Sequence, residues 1–184
     1  MTERRLSVAE SKNLKKNDTK RLATLSILVS VAMILSYVES LVPPLVAVPG
    51  VKLGLSNIAT VFALYTLGAP AAVTVSLVRV FLSSLLFGNS VSLIYSLTGA
   101  ALALAFMILL QRISVFSSVG VSVVGGVAHN AGQIIAACIV MENAAISLYL
   151  PPLIVSGTVA GVAIGIAAGV LVKKTERFLK LNKK

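Results

Sequence analysis

The chain has 184 residues, of which 57% are hydrophobic and 12% charged, and its mean hydropathy of +0.97 excludes an ordinary soluble globular domain in favour of one polytopic membrane domain. The net charge of +10 does not argue for nucleic acid as a partner, because the basic residues collect at the two chain ends and read as topology signals. The single cysteine, Cys138, lies in an apolar run as an inert core thiol, so no disulfide framework exists.

Residues 1–21 carry Arg4, Arg5, Lys12, Lys15, Lys16, Lys20 and Arg21 with little apolar material, and are expected to form a basic cytoplasmic tail. The apolar stretch that follows is too long for the core of a signal peptide and reads as a retained anchor. It predicts a first span over 22–42, with Ala23, Ser26 and Ser30 as small residues, Glu39 near its far end, and Pro43-Pro44 to stop it. In the next segment, PPLVAVPGVKLGLSN, Pro49-Gly50 signals a turn, Lys52 is the one basic residue, and Asn57 closes the run. A second helix over 52–67 is about 24 Å long at 1.5 Å per residue. That is short for a hydrocarbon core of about 30 Å, so the GVKLGLSN segment is expected to enter the membrane region as a loop packed on protein.

A third span over 69–87 carries Arg79 near its middle. An arginine at mid-depth costs about 2.5–3.5 kcal/mol on insertion scales, so it is expected to face protein, water or a ligand. Ser76 and Ser83, three residues before it and four after, share its helix face. A fourth span is predicted over 90–110 after the Gly88-Asn89 turn, and a fifth over 119–141 with VGGVAHNAGQ at its centre, closed by Glu142 and Asn143. The sixth, over 151–172, opens on Pro151-Pro152 and carries Gly157, Gly161, Gly165 and Gly169 at a strict spacing of four. Such a bare face admits a close helix neighbour, either within the monomer or from a second subunit. Residues 173–184 form a second basic cytoplasmic tail.

Six spans put fourteen of the 16 basic residues on one side, leaving Lys52 on the other and Arg79 in the membrane. This positive-inside asymmetry predicts cytoplasmic termini at the cell membrane, the inner membrane of a bacterium.

His129 and Gln133 share a helix face at the middle of the fifth span, with Asn130 one position round. Together with Arg79 they describe the floor of an outward-open polar pocket, with Ser76 and Ser83 at the same depth, Glu39, Lys52 and Glu142 nearer its mouth, and Asn57 as a further substrate-binding candidate. Each of these side chains has a plainer use as interhelical hydrogen-bonding glue. Glu39 and Glu142 stand too far outward to reach Arg79 easily, which favours an anionic group on the ligand as its partner. One histidine without a carboxylate or cysteine cluster gives too few ligands for a metal and a weak case for haem, and no cofactor is expected. No Walker-type loop is present, so the chain does not hydrolyse ATP itself.

The runs PGVKLGLSNI, SLVRVFLSSLLFG, IYSLTGA and GVAHNAGQ resemble the membrane family catalogued as Gx transporters, also under the name heptaprenyl diphosphate synthase component I. That family is similar to the substrate-binding S components of energy-coupling factor (ECF) vitamin transporters. The resemblance implies an all-α fold of six membrane helices, a lid-like loop between the first two, a small-molecule substrate, and as partners a membrane coupling subunit and paired ATPases. Ala23, Ser26 and Ser30 would then dock the coupling subunit. The second name implies prenyl-quinone metabolism, yet synthases of the usual kind need aspartate-rich motifs, and the only aspartate here is Asp18 in the tail. This leaves a non-enzymatic accessory role on that side, or a membrane anchor for a flavin-based extracytoplasmic redox partner.

Overall fold

The computed structural model describes residues 2–41, 54–113 and 115–181, with side chains from 18 to 177. The described residues form helices α1 (Thr2–Ser40), α2 (Asn57–Thr66), α3 (Ala69–Phe87), α4 (Ser90–Arg112), α5 (Ser118–Val140) and α6 (Leu150–Leu181), with a 3-10 turn over Ala144–Tyr149 ahead of α6. Among the described residues, five segments are long and apolar enough to cross a membrane, and α2 is a shorter apolar helix. The protein is an all-α multi-pass membrane protein.

The breaks between helices follow from local chemistry. Gly68, at φ 87°, takes a backbone conformation that side chains resist and turns the chain between α2 and α3, after which Pro70 fits the first turn of α3. The Asn89 side chain accepts from the Ser92 N–H at 2.8 Å and starts α4, and Ser117 accepts from the Gly120 N–H at 3.2 Å and starts α5. The polar segment expected as a tail is helical from Thr2, and α6 likewise runs past Val172 to Leu181. Neither segment contains a glycine or proline, so nothing in the sequence stops a helix begun in the apolar span.

Contacts give the directions of the helices. Leu28 and Ala32 of α1 pack with Ala72 and Val75 of α3 in one core, and Tyr37 meets Phe87 nearer the far ends, with ring centroids 5.1 Å apart. These two helices run parallel. At the other end, Gln111 of α4 donates to the Leu64 carbonyl of α2 at 3.0 Å. Gly169 of α6 lies beside Ser118 at the start of α5, while Gly157 lies beside Asn130, so α6 runs antiparallel to α5. The chain therefore enters through α1 and leaves through α6 at the same end of the bundle.

The second helix departs most from expectation. It has ten residues, about 15 Å or half a hydrocarbon core, where sixteen were expected. Its last turn meets the start of α3, and its first residue, Asn57, reaches Arg79 in the middle of α3. It is a half-length helix that covers only the first half of α3 and begins at mid-height. The lid-like loop expected before it, with Lys52, lies outside the described residues.

Candidate functional site

Arg79 is 2% exposed in a helix whose opposite flank, including Leu77, Phe81, Leu82 and Leu85, is open to the surroundings. Ser76 and Ser83, on its own face, are buried with it, and Ser83 donates to the Val80 carbonyl at 3.3 Å. Because α2 starts at mid-height, Asn57 is in reach, and Arg79 Nη2 donates to Asn57 Oδ1 at 3.1 Å. The Nε of Arg79 has no hydrogen-bond partner among the described residues. A buried donor left over in this way costs about 1–3 kcal/mol, which is a reason to look for something that completes it.

Glu39 is buried, and its Oε1 accepts from the Gly54 N–H. Glu39, near the end of α1, and Arg79, in the middle of α3, thus both reach the turn that starts α2. The reason is the depth of α2: the turn that starts it carries Gly54 and Asn57 between the two charges. In that turn Asn57 N–H donates to the Gly54 carbonyl at 2.9 Å.

Gly54, at φ 84°, is a residue the sequence reading passed over. A Cβ there would stand 2.9 Å from Asn57 Nδ2 and 3.7 Å from His129 Cδ2, so the same turn brings α5 to the site. His129 is fully enclosed, with Gly99 of α4 against its other side: a Cβ at Gly99 would meet the His129 carbonyl at 2.8 Å and Gln133 Cγ at 3.0 Å. The signal for Gly54 was a glycine two residues ahead of a Ser-Asn helix start in an otherwise apolar run.

Asn130 is turned to a different neighbour. Its Nδ2 donates to the Leu153 carbonyl of α6 at 2.7 Å and lies 2.8 Å from where a Cβ of Gly157 would be. Glu142 is exposed at the end of α5, where at φ 48° it occupies the left-handed closing position while the Asn143 N–H returns to the Cys138 carbonyl at 3.1 Å. The structure therefore gathers Glu39, Asn57, Arg79 and His129 around one turn, keeps Gln133 beside His129 through Gly99, and leaves Asn130 and Glu142 out. Ala23, Ser26 and Ser30 are exposed on α1, with the two serine hydroxyls returned to carbonyls of their own helix. Gly157, Gly161 and Gly165 face α5.

The family model described as heptaprenyl diphosphate synthase component I matches residues 28–171. The chain belongs to this family. Among solved structures it is similar to the S component of a bacterial ECF transporter, with 23% identity and a TM-score of 0.63 over 89% of this chain and 99% of that one. The likeness shows that this chain has the fold of that S component. No curated protein matches the sequence.

Proposed function

We propose that the protein is the membrane-embedded, substrate-binding subunit of an uptake transporter for a small anionic molecule. The observation that carries this reading is the buried Arg79 with an unpartnered Nε, held at mid-height by a half-length helix within an S-component fold. A membrane protein that needed the arginine only as glue would satisfy its donors from carbonyls and carboxylates. In this reading Arg79 receives the anionic group, Asn57 and His129 orient it, and Ser76, Ser83 and Gln133 complete the polar surroundings. Two buried hydroxyls, those of Ser56 just ahead of α2 and Thr60 within it, also lack partners among the described residues and are candidates to turn towards a ligand.

Transport requires an energy source that this chain does not contain. The partners in this reading are a membrane coupling subunit, docked along Ala23, Ser26 and Ser30 of α1, and a pair of ATPases. Affinity purification from native membranes is expected to recover them together. The family description keeps a second class in view, an accessory of prenyl-quinone metabolism or an anchor for a redox partner, and the same purification separates the two. Recovery of a quinone-pathway or flavin-bearing protein without ATPases overturns the transporter assignment.

The reading also places both termini in the cytoplasm, so that the start of α2 opens to the outside. Reporter fusions at Lys184 and between Asn143 and Ser147 are expected to report opposite sides of the membrane, with Lys184 cytoplasmic. A C-terminal reporter that is active only outside would reverse the pocket and defeat uptake by this route.

A further inference from the structure

Three hydrogen bonds run in series across the site. The Gly54 N–H donates to Glu39 Oε1, the Asn57 N–H donates to the Gly54 carbonyl at 2.9 Å, and Arg79 Nη2 donates to Asn57 Oδ1 at 3.1 Å. The series starts at a carboxylate on α1, passes through the backbone turn that opens α2, and ends at a guanidinium on α3. Every residue in it is buried. Away from water, opposite charges are weakly screened and hydrogen bonds between them polarise one another.

Resting on the reading of this site as a ligand site, we propose that Glu39 is its positioning residue. Its carboxylate clasps the start of α2 to α1 and serves as the counter-charge of Arg79 in the empty protein, so that an incoming anion competes with it and loosens the clasp. Two physical arguments support this. The turn ahead of α2 starts at Gly54, which at φ 84° has no side chain with which to anchor it. Glu39 supplies that anchor. Secondly, an anion arriving at Arg79 adds a second negative charge to a buried site that already holds the Glu39 carboxylate on the far side of the same turn. Like charges sharing such a site disfavour one another, and the hold on Gly54 is what gives way. Ligand entry is thereby converted into a change in how α2 sits against α1.

The consequence is a charge coupling that can be read without knowing the substrate. Thermal unfolding of the purified full-length protein is measured for wild type, Glu39→Gln, Arg79→Gln and the double variant. Each single change strands one buried charge and is expected to lower the midpoint by several degrees, whereas the double variant is expected to lose clearly less than the two losses combined. If the single variants do not accumulate as folded protein, the double variant is expected to recover monodisperse material. In parallel, Glu39→Ala removes the carboxylate and leaves room for a small anion, so formate is expected to raise its midpoint relative to the same concentration of chloride, with no such gain in wild type. Additive losses, failure of the double variant to recover, or a Glu39→Ala protein indifferent to formate overturns the clasp. Those results leave the transporter reading standing, since it is judged by co-purified partners and retained ligand.

Discussion

Replacement of Gly161 by leucine is expected to abolish accumulation of folded protein. A Cβ at Gly161 would lie 2.6 Å from Val123 Cα, 2.9 Å from the Ser122 carbonyl oxygen and 3.0 Å from Val123 N, all of them on α5. Two are backbone atoms of Val123 and one is a carbonyl, so no rotamer change relieves the clash. The helices must separate. The same contact recurs along the pair: a Cβ at Gly165 meets Val119 Cα at 2.6 Å, and one at Gly126 of α5 meets the Gly157 carbonyl at 2.5 Å. In lipid, the packing of two such faces is what holds the helices together, and overpacking costs about 1–3 kcal/mol even for modest changes.

The series has an internal control. A Cβ at Gly169 meets only the Ser118 side chain, its Cβ at an ordinary 4.0 Å and its hydroxyl at 2.9 Å, and the hydroxyl can rotate away. Gly169→Ala is therefore expected to fold with near-wild-type stability, Gly161→Ala to lose about 1–3 kcal/mol, and Gly161→Leu to be lost from the folded fraction in detergent. Fluorescence-detected size exclusion of the three variants, followed by thermal unfolding of those that survive, checks the order. Wild-type yield and midpoint for Gly161→Leu would mean that α5 does not cover this face.

How much of this was legible in the sequence depends on the range of the interaction. The limits of α3, Ala69–Phe87, coincide with those expected, because Gly68 and Pro70 at one end and Gly88-Asn89 at the other are local punctuation. The glycine period of α6 was legible for the same reason. What packs on it was not, since a face of small residues suits a neighbouring helix or a partner equally well, and only the placement of Ser118, Ser122 and Val123 assigns it to α5.

The site was legible as a set of residue types rather than as an arrangement. Arg79 and His129 announced themselves as polar groups at mid-span, and both are buried near the same turn. Glu39, Gly54 and Asn57 belong with them only because α2 begins at mid-height, a tertiary fact that periodicity does not carry. Glu142 lies at the end of α5 and closes it, exposed and apart from the residues around that turn. Asn130 has the same depth as His129, yet the 100° between successive helix positions turns it towards Leu153 of α6.

Arg79→Lys is expected to preserve the fold and to weaken ligand retention about 10- to 100-fold, and Arg79→Ala to abolish it. Lysine keeps the positive charge that balances Glu39, but loses the planar fork that lets one nitrogen bond Asn57 Oδ1 while another faces a ligand. The lost contact is a hydrogen bond between charged groups, of about 1.5–3 kcal/mol, and about 1.4 kcal/mol is tenfold in affinity. Alanine removes the charge as well, and stranding Glu39 in a buried site costs about 3–5 kcal/mol of stability, so its effect on binding is read in the Glu39→Gln background. His129→Ala and Gln133→Ala are expected to reduce retention less, since each loses one polar neighbour and leaves the cation in place. The measurement is mass spectrometry of small molecules carried through purification by wild type, quantified per folded protein in each variant. An Arg79→Leu protein that folds and keeps the full wild-type complement would make the arginine a structural residue and place the ligand elsewhere.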